Sequence, residues 1–177
     1  MVASSALIAL ATALVLFAVK EQFTPERRES GNLLTDMGEV LRNPSFAAVL
    51  VATVIMMASQ AAMEPVLVPY IKGLLGDEAP NWMAGAIYSL PGIAFILAAP
   101  WWAHRAEKLG YTTTVSLGLF LGAAAILPQA LVGTGWAMGA LRLSAGLALA
   151  AVGPGISALI TLVVPRSQRG RAFGLNQ

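Results

Sequence analysis

Two ionisable residues interrupt stretches of sequence that otherwise carry no charge. Glu64 lies in Gln60-Ala61-Ala62-Met63-Glu64-Pro65 and Arg142 in Gly139-Ala140-Leu141-Arg142-Leu143. A charge within hydrocarbon is costly, so such residues line pathways, meet a partner charge or face water. Glu64 stands eight residues before Lys72, and Arg142 six residues after Trp136. At about 1.5 Å per residue, both fall roughly 10 Å below one membrane boundary, where they could meet. One chemistry open to them is binding of a proton or a cationic substrate at Glu64, tuned by Arg142. Burial and a neighbouring cation act on a carboxylate in opposite directions, a combination suited to a titrating switch. A structural ion pair, or an arginine that snorkels towards the headgroups, is the alternative.

Thr53, Met57, Gln60 and Glu64 recur at helical spacing and share one face, with Met56 beside it. These five positions are expected to line a cavity around Glu64. Methionine suits an adaptable binding wall, although ordinary packing or lipid contact would also place it there. Other chemistries lack their residues. The chain has no cysteine and one histidine, His104, too few to build a metal site alone. It has no phosphate-binding loop, no H-E-x-x-H and no nucleophile–base pair. Neither an enzyme nor a cofactor or metal protein is expected, and nothing resembles a nucleic-acid module.

The elements that must position these residues are membrane helices. Hydrophobic residues make up 57% of the 177 positions and charged ones 11%, against about 25% charged in a typical soluble domain. Five stretches contain no Asp, Glu, Lys or Arg: Met1–Val19, Asn43–Met63, Ala79–Ala103, Leu109–Leu141 and Leu143–Pro165. About 20 apolar residues span a bilayer core. The long fourth stretch must therefore be cut, and Gly133-Thr134-Gly135 supplies the turn. The expected spans are 1–19, about 45–71, 83–103, 111–132 and 136–164. The fold class is an all-α polytopic membrane protein, with 172–177 starting a sixth helix.

The connections alternate in charge. The first, third and fifth hold Lys20, Arg27, Arg28, Arg42, then Arg105 and Lys108, then Arg166, Arg169 and Arg171, while the second and fourth hold Lys72 alone. The positive-inside rule makes the former cytoplasmic, with the N-terminus outside and the C-terminus inside. The tryptophans agree: Trp82 and Trp136 mark outer ends, Trp101 and Trp102 an inner end. Nothing basic precedes the first span, which disfavours a cleaved signal. Residues 20–42 form the one sizeable soluble loop, and Leu33–Leu41 could lie along the inner surface as an amphipathic run. Pro65 and Pro69 are expected to kink the second span, and Gly153-Pro154-Gly155 the fifth. Gly118 and Gly122 form G-x-x-x-G, read as close helix packing within the chain.

The order of these features resembles the major facilitator superfamily, specifically its bacterial multidrug-efflux antiporters of twelve helices. The resemblance covers essentially the whole chain. Residues 1–19 with Val19-Lys20-Glu21-Gln22-Phe23 resemble the sixth helix and its exit, and residues 20–42 the cytoplasmic loop between the halves. Glu64-Pro65-Val66-Leu67-Val68-Pro69-Tyr70-Ile71 is similar to the outer end of the seventh helix. Ala103-His104-Arg105-Ala106-Glu107-Lys108-Leu109-Gly110 is similar to the family's G-x-L-x-D-R-x-G gating loop. Ala103 replaces its first Gly and Arg105 its Leu, and no bases trail it. Leu141-Arg142-Leu143-Ser144-Ala145-Gly146 resembles the tenth helix and echoes an R-x-x-x-G motif in the family's first half. Pro165–Gly174 resembles the entry to the eleventh.

The resemblance implies a C-terminal-half fragment (residues 43–177) of a proton-coupled exporter of lipophilic or cationic drugs in the bacterial inner membrane. Glu64 and Arg142 would couple protons or cations, and Thr53, Met56, Met57 and Gln60 would line the substrate cavity. Glu107, Lys108 and Gly110 would form the cytoplasmic gate. The implied partners are a small-molecule substrate, protons, the lipid bilayer and the missing N-terminal half. Without that half the chain is not expected to transport. A metabolite or sugar transporter of the same superfamily is the alternative within transport. A membrane assembly or regulatory subunit is the alternative outside it.

Overall fold

The computed structural model describes residues 42–76, 78–165 and 168–176. The expected first span at 1–19, the loop up to residue 41 with its amphipathic run, Arg166 and Gln177 lie outside the described residues.

Among the described residues the secondary structure is helical. Helix α1 spans Pro44–Leu75, α2 Asn81–Leu109 and α3 Tyr111–Ile126, which ends in a 3-10 turn at Leu127–Ala130. Helix α4 spans Gly135–Leu149, α5 Val152–Val163 and α6 Arg169–Asn176. Four segments are long and apolar enough to cross a bilayer: Pro44–Leu75, Asn81–Leu109, Tyr111–Ala130 and Gly135–Val163, the last combining α4 and α5. They correspond to the second to fifth expected spans.

Local sequence sets the boundaries. The Asn43 side chain accepts hydrogen bonds from Ser45 N at 3.0 Å and Phe46 N at 3.3 Å, ahead of Pro44 in the first helical turn. Its Nδ2 donates to Val163 O at 2.8 Å, tying the start of α1 to the end of α5. Thr134 caps α4 through a bond from Ala137 N, so the expected turn at residues 133–135 is where α4 begins. Gly76 and Gly110 close α1 and α2 at φ of 84° and 85°, a region that glycine enters without a Cβ penalty.

Several boundaries depart from expectation. Helix α2 continues through His104–Leu109, which was expected to be a loop. Each residue there tolerates helix, and the first breaker is Gly110. Charge marks where a helix leaves lipid, not where it ends. Helix α1 likewise reaches Leu75 and runs unbroken through Pro65 and Pro69. Helix α6 starts three residues before the expected 172.

The fifth span does break, but upstream of Gly153-Pro154-Gly155, at Ala150 and Ala151. Proline acts four residues back: Pro154 has no N–H for the Ala150 carbonyl, and its ring crowds that position. At the break Ala151 N donates to Ala148 O at 3.2 Å, one residue short of the α-helical pattern. The Leu147 carbonyl is taken instead by Trp102 Nε1 at 2.7 Å. Trp102 is accordingly buried, 9% exposed, whereas Trp82, Trp101 and Trp136 are open at 70%, 53% and 87%. Trp102 packs α2 against the break.

Small residues bring the helices together. A Cβ on Gly118 would stand 2.7 Å from Ala151 Cβ, and one on Gly122 2.6 Å from Leu149 Cδ2, so G-x-x-x-G seats α3 on the α4–α5 junction. A Cβ on Gly146 would stand 2.5 Å from Pro91 Cα. This close approach lies within the extensive α2–α4 contact. A buried cluster of Phe46, Val115, Val152, Ile156, Ile160, Val164 and Ala172 closes the end where α1 begins. Arg169 clamps it, donating from Nη2 to Thr161 O at 2.6 Å and from Nε to Val164 O at 3.3 Å. A cation on the open carbonyls of a helix C-terminus is favourable.

Candidate functional site: a polar cavity between three helices

Helices α1, α2 and α4, with Ile126 at the end of α3, line a half-open cavity of about 340 Å³. Glu64 and Arg142 both line it, as do Gln60 and Met63 from α1, and Tyr88 and Ser89 from α2. The two charged residues placed at one depth by the sequence therefore share one cavity. They do not form an ion pair within it. Elsewhere, His104 Nδ1 and Glu107 Oε2 lie 3.6 Å apart, an ion pair when His104 is protonated.

Arg142 is held by α2 instead. Its Nη2 donates to Tyr88 O at 2.8 Å, and its guanidinium carbon lies 5.4 Å from the centre of the Tyr88 ring. The reason lies in the helix sequences. Pro91 leaves the Ile87 carbonyl without its helical donor, and Arg142 bonds the carbonyl of the next residue, Tyr88. Gly146, one turn along α4 on the same face as Arg142, lets the backbones approach closely enough for that reach. Arg142 Nε is buried without a hydrogen-bond partner. Glu64 is exposed to the cavity, so the wall carries an acid and a base, each free of the other.

The cavity adjoins a second of about 400 Å³, lined by Met56, Ser59, Gln60, Met63, Leu119 and Ile126 among others. Gln60, Met63, Ile126 and Leu149 belong to both. The lining stripe on α1 is therefore Met56, Gln60, Met63 and Leu67, with Glu64 at its edge. Thr53 and Met57 stand apart from it. Thr53 is buried, and its hydroxyl donates to Val49 O at 2.9 Å. Met57 is 48% exposed and lines neither cavity.

Sequence reasoning missed Met63, Tyr88 and Ser89. Met63 has the same spacing signal as its neighbours, and a frame shifted by one residue finds it. Tyr88 contributes a carbonyl and a ring face, which no motif announces.

Glu107 and Lys108 lie on the last turn of α2, not on a loop, and both are exposed. Gly110 separates α2 from α3: its N–H bonds Ala106 O at 2.9 Å, and its own carbonyl accepts from Thr114 Oγ1 at 2.9 Å. The hinge between the two helices is a single residue.

A family model described as "Major Facilitator Superfamily" matches residues 1–177. The chain is similar to the "Multidrug resistance protein MdtG" of Serratia proteamaculans, 29% identical over 166 residues, covering 93% of this chain and 40% of that protein. The protein of the same description from Proteus mirabilis is 29% identical over 176 residues, covering 98% of this chain and 44% of its own length. That from Citrobacter koseri is 27% identical over 166 residues, with 93% and 41% covered. The chain thus spans less than half the length of these curated relatives. No solved structure matches it.

Proposed function

The chain belongs to the major facilitator superfamily, and from that premise we propose that it supplies the second half of a proton-coupled exporter of lipophilic, cationic compounds. One observation carries this reading: Glu64 and Arg142 face one cavity without pairing to each other. A carboxylate with no ion-pair partner can take up a proton or a cation. Arg142, anchored to Tyr88 O at 2.8 Å, holds a fixed positive charge in the wall of the same cavity. Protonation of Glu64 and binding of a cation there compete, and that competition couples the two flows. The apolar, methionine-bearing wall at Met56 and Met63 accepts the lipophilic body without fixing its shape. The relatives' description as multidrug resistance proteins supports the substrate class.

In this reading the membrane is the bacterial inner membrane. The connections rich in Lys and Arg are cytoplasmic, which puts the N-terminus outside and the C-terminus inside. Rocking of the two halves exposes the cavity alternately. Glu107 and Lys108 act at the cytoplasmic gate, with Gly110 as its hinge.

The test is pH-gradient-driven accumulation of a fluorescent cation in inverted membrane vesicles. It uses a protein of the relatives' full length that carries this sequence in its matching region. Glu64→Gln abolishes accumulation, and Glu64→Asp retains part of it. Undiminished accumulation with Glu64→Gln refutes the role given to Glu64.

A further inference from the structure

A second groove, of about 610 Å³, runs between α2, α3 and α4 on residues separate from the Glu64 cavity. Its α2 wall is Leu97, Ala98, Trp101 and Trp102, and it faces Leu121 and Ala125 of α3 and Leu147 of α4. The lining is apolar over its whole length. Ser144, also in the wall, spends its hydroxyl on Ala140 O at 2.8 Å.

The groove has a charged mouth. At about 100° per residue, Arg105 continues the α2 face formed by Leu97, Ala98, Trp101 and Trp102, one turn beyond Trp101. Its guanidinium carbon sits 4.9 Å from the Trp101 ring centre, which holds the cation at the groove end. Lys108, one turn further, is exposed near the same face. The acid of this segment is turned away. Glu107 lies two residues from Arg105, on nearly the opposite side of the helix, with its Oε2 3.6 Å from His104 Nδ1.

We infer that this groove is a binding site for one anionic phospholipid, with an acyl chain along Leu97–Trp102 and the phosphate between Arg105 and Lys108. Charge complementarity selects this occupant. A zwitterionic lipid would gain the apolar contact but carries no net charge for the two cations. An apolar helix of another protein would fill the groove but leave Arg105 and Lys108 without a counter-charge. Basic pockets beside aromatic residues at helix ends are the physical form that headgroup recognition takes. The lipid would brace α2 against α3 on either side of the Gly110 hinge.

The test needs only the 177-residue chain, reconstituted in phosphatidylcholine vesicles. Trp82→Phe and Trp136→Phe leave Trp101 and Trp102 as the reporters. Their fluorescence is read with a fixed mole fraction of brominated phosphatidylglycerol or brominated phosphatidylcholine. The expected result is preferential quenching by the anionic lipid, equivalent to a local enrichment of about five-fold per basic side chain. Arg105→Gln reduces the preference, and Arg105→Gln with Lys108→Gln removes it. Glu107→Gln, on the far side, leaves it in place. Lys108 is exposed, so Lys108→Gln alone provides a variant whose folding is not at issue, and it halves the preference or more. Equal quenching by the two lipids in the parent chain overturns the inference. So does a preference that survives both substitutions, or one that Ala125→Phe, which fills the groove without adding a tryptophan, leaves unchanged.

Discussion

Gly146 is where a single methyl group tests the packing that positions Arg142. A Cβ there would stand 2.5 Å from Pro91 Cα and 2.8 Å from its carbonyl carbon, and closer still to its oxygen. All three are backbone atoms in a helix, so no side chain can rotate away. Replacing a helical glycine by alanine normally stabilises by about 0.5–1 kcal/mol. Overpacking a tight contact costs about 1–3 kcal/mol. Because the obstruction is backbone, the cost is expected at the upper end, leaving Gly146→Ala about 2 kcal/mol less stable than the parent. Gly92→Ala is the control, since a Cβ there meets nothing within 4 Å, and it should gain up to about 1 kcal/mol. Gly139→Ala, which would meet Leu90 Cδ1 at an ordinary 3.4 Å, should be nearly neutral. The assay is reversible unfolding in mixed micelles, followed by tryptophan fluorescence. Stabilities of Gly146→Ala and Gly92→Ala within about 0.5 kcal/mol of each other, the scale of an ordinary surface substitution, would refute the argument.

Three further predictions concern the helix geometry. Trp102→Phe keeps the ring but leaves the Leu147 carbonyl without the 2.7 Å bond, and should cost about 1–3 kcal/mol in the same unfolding assay. Pro154→Ala restores a donor for the Ala150 carbonyl. Spin labels at positions 136 and 162 should then move apart as α4 and α5 straighten into one helix, and an unchanged distance would place the cause of the break elsewhere. Gly110→Ala meets open space, but φ 85° with ψ 145° is a region open essentially to glycine, so its cost is backbone strain alone, about 1–3 kcal/mol. Gly110→Asn should lose about as much, because asparagine's tolerance is for the left-handed helical region and not for φ 85° with ψ 145°.

Much of this architecture is legible in the sequence because a bilayer imposes length and polarity together. Apolar stretches about 20 residues long leave few alternatives to helices, and the second to fifth appear where expected. The turn before α4 is equally readable from Gly133-Thr134-Gly135. Helix ends are less so, because hydropathy records the lipid border while the helix continues until a residue breaks it. His104–Leu109 is polar yet helical for that reason. Arg169, read only as a topology marker, also clamps the end of α5, a role that depends on where α6 folds back. The placement of Glu64 and Arg142 on one cavity follows from their depths, which sequence gives directly. Their lack of pairing does not, since it depends on the close approach of α4 to α2 at Gly146 and on Tyr88 offering a carbonyl. Met63 was missed because two overlapping helical stripes, shifted by one residue, fit the α1 sequence equally well.

The central claim is that Glu64 and Arg142 face a common water-accessible cavity inside the membrane. The chain has no cysteine, so single cysteines can be introduced at will and modified with a membrane-impermeant thiol reagent, which reacts only with the thiolate that forms in water. Glu64→Cys and Arg142→Cys should both react, each should be protected by the same lipophilic cation, and a double variant should cross-link with a short bifunctional reagent. Ile96→Cys, on a residue 72% exposed from the helices but lining none of the cavities described above, should stay unmodified as a lipid-facing control. Failure of both cavity cysteines to react, or reaction of only one with no cross-link, would contradict the account.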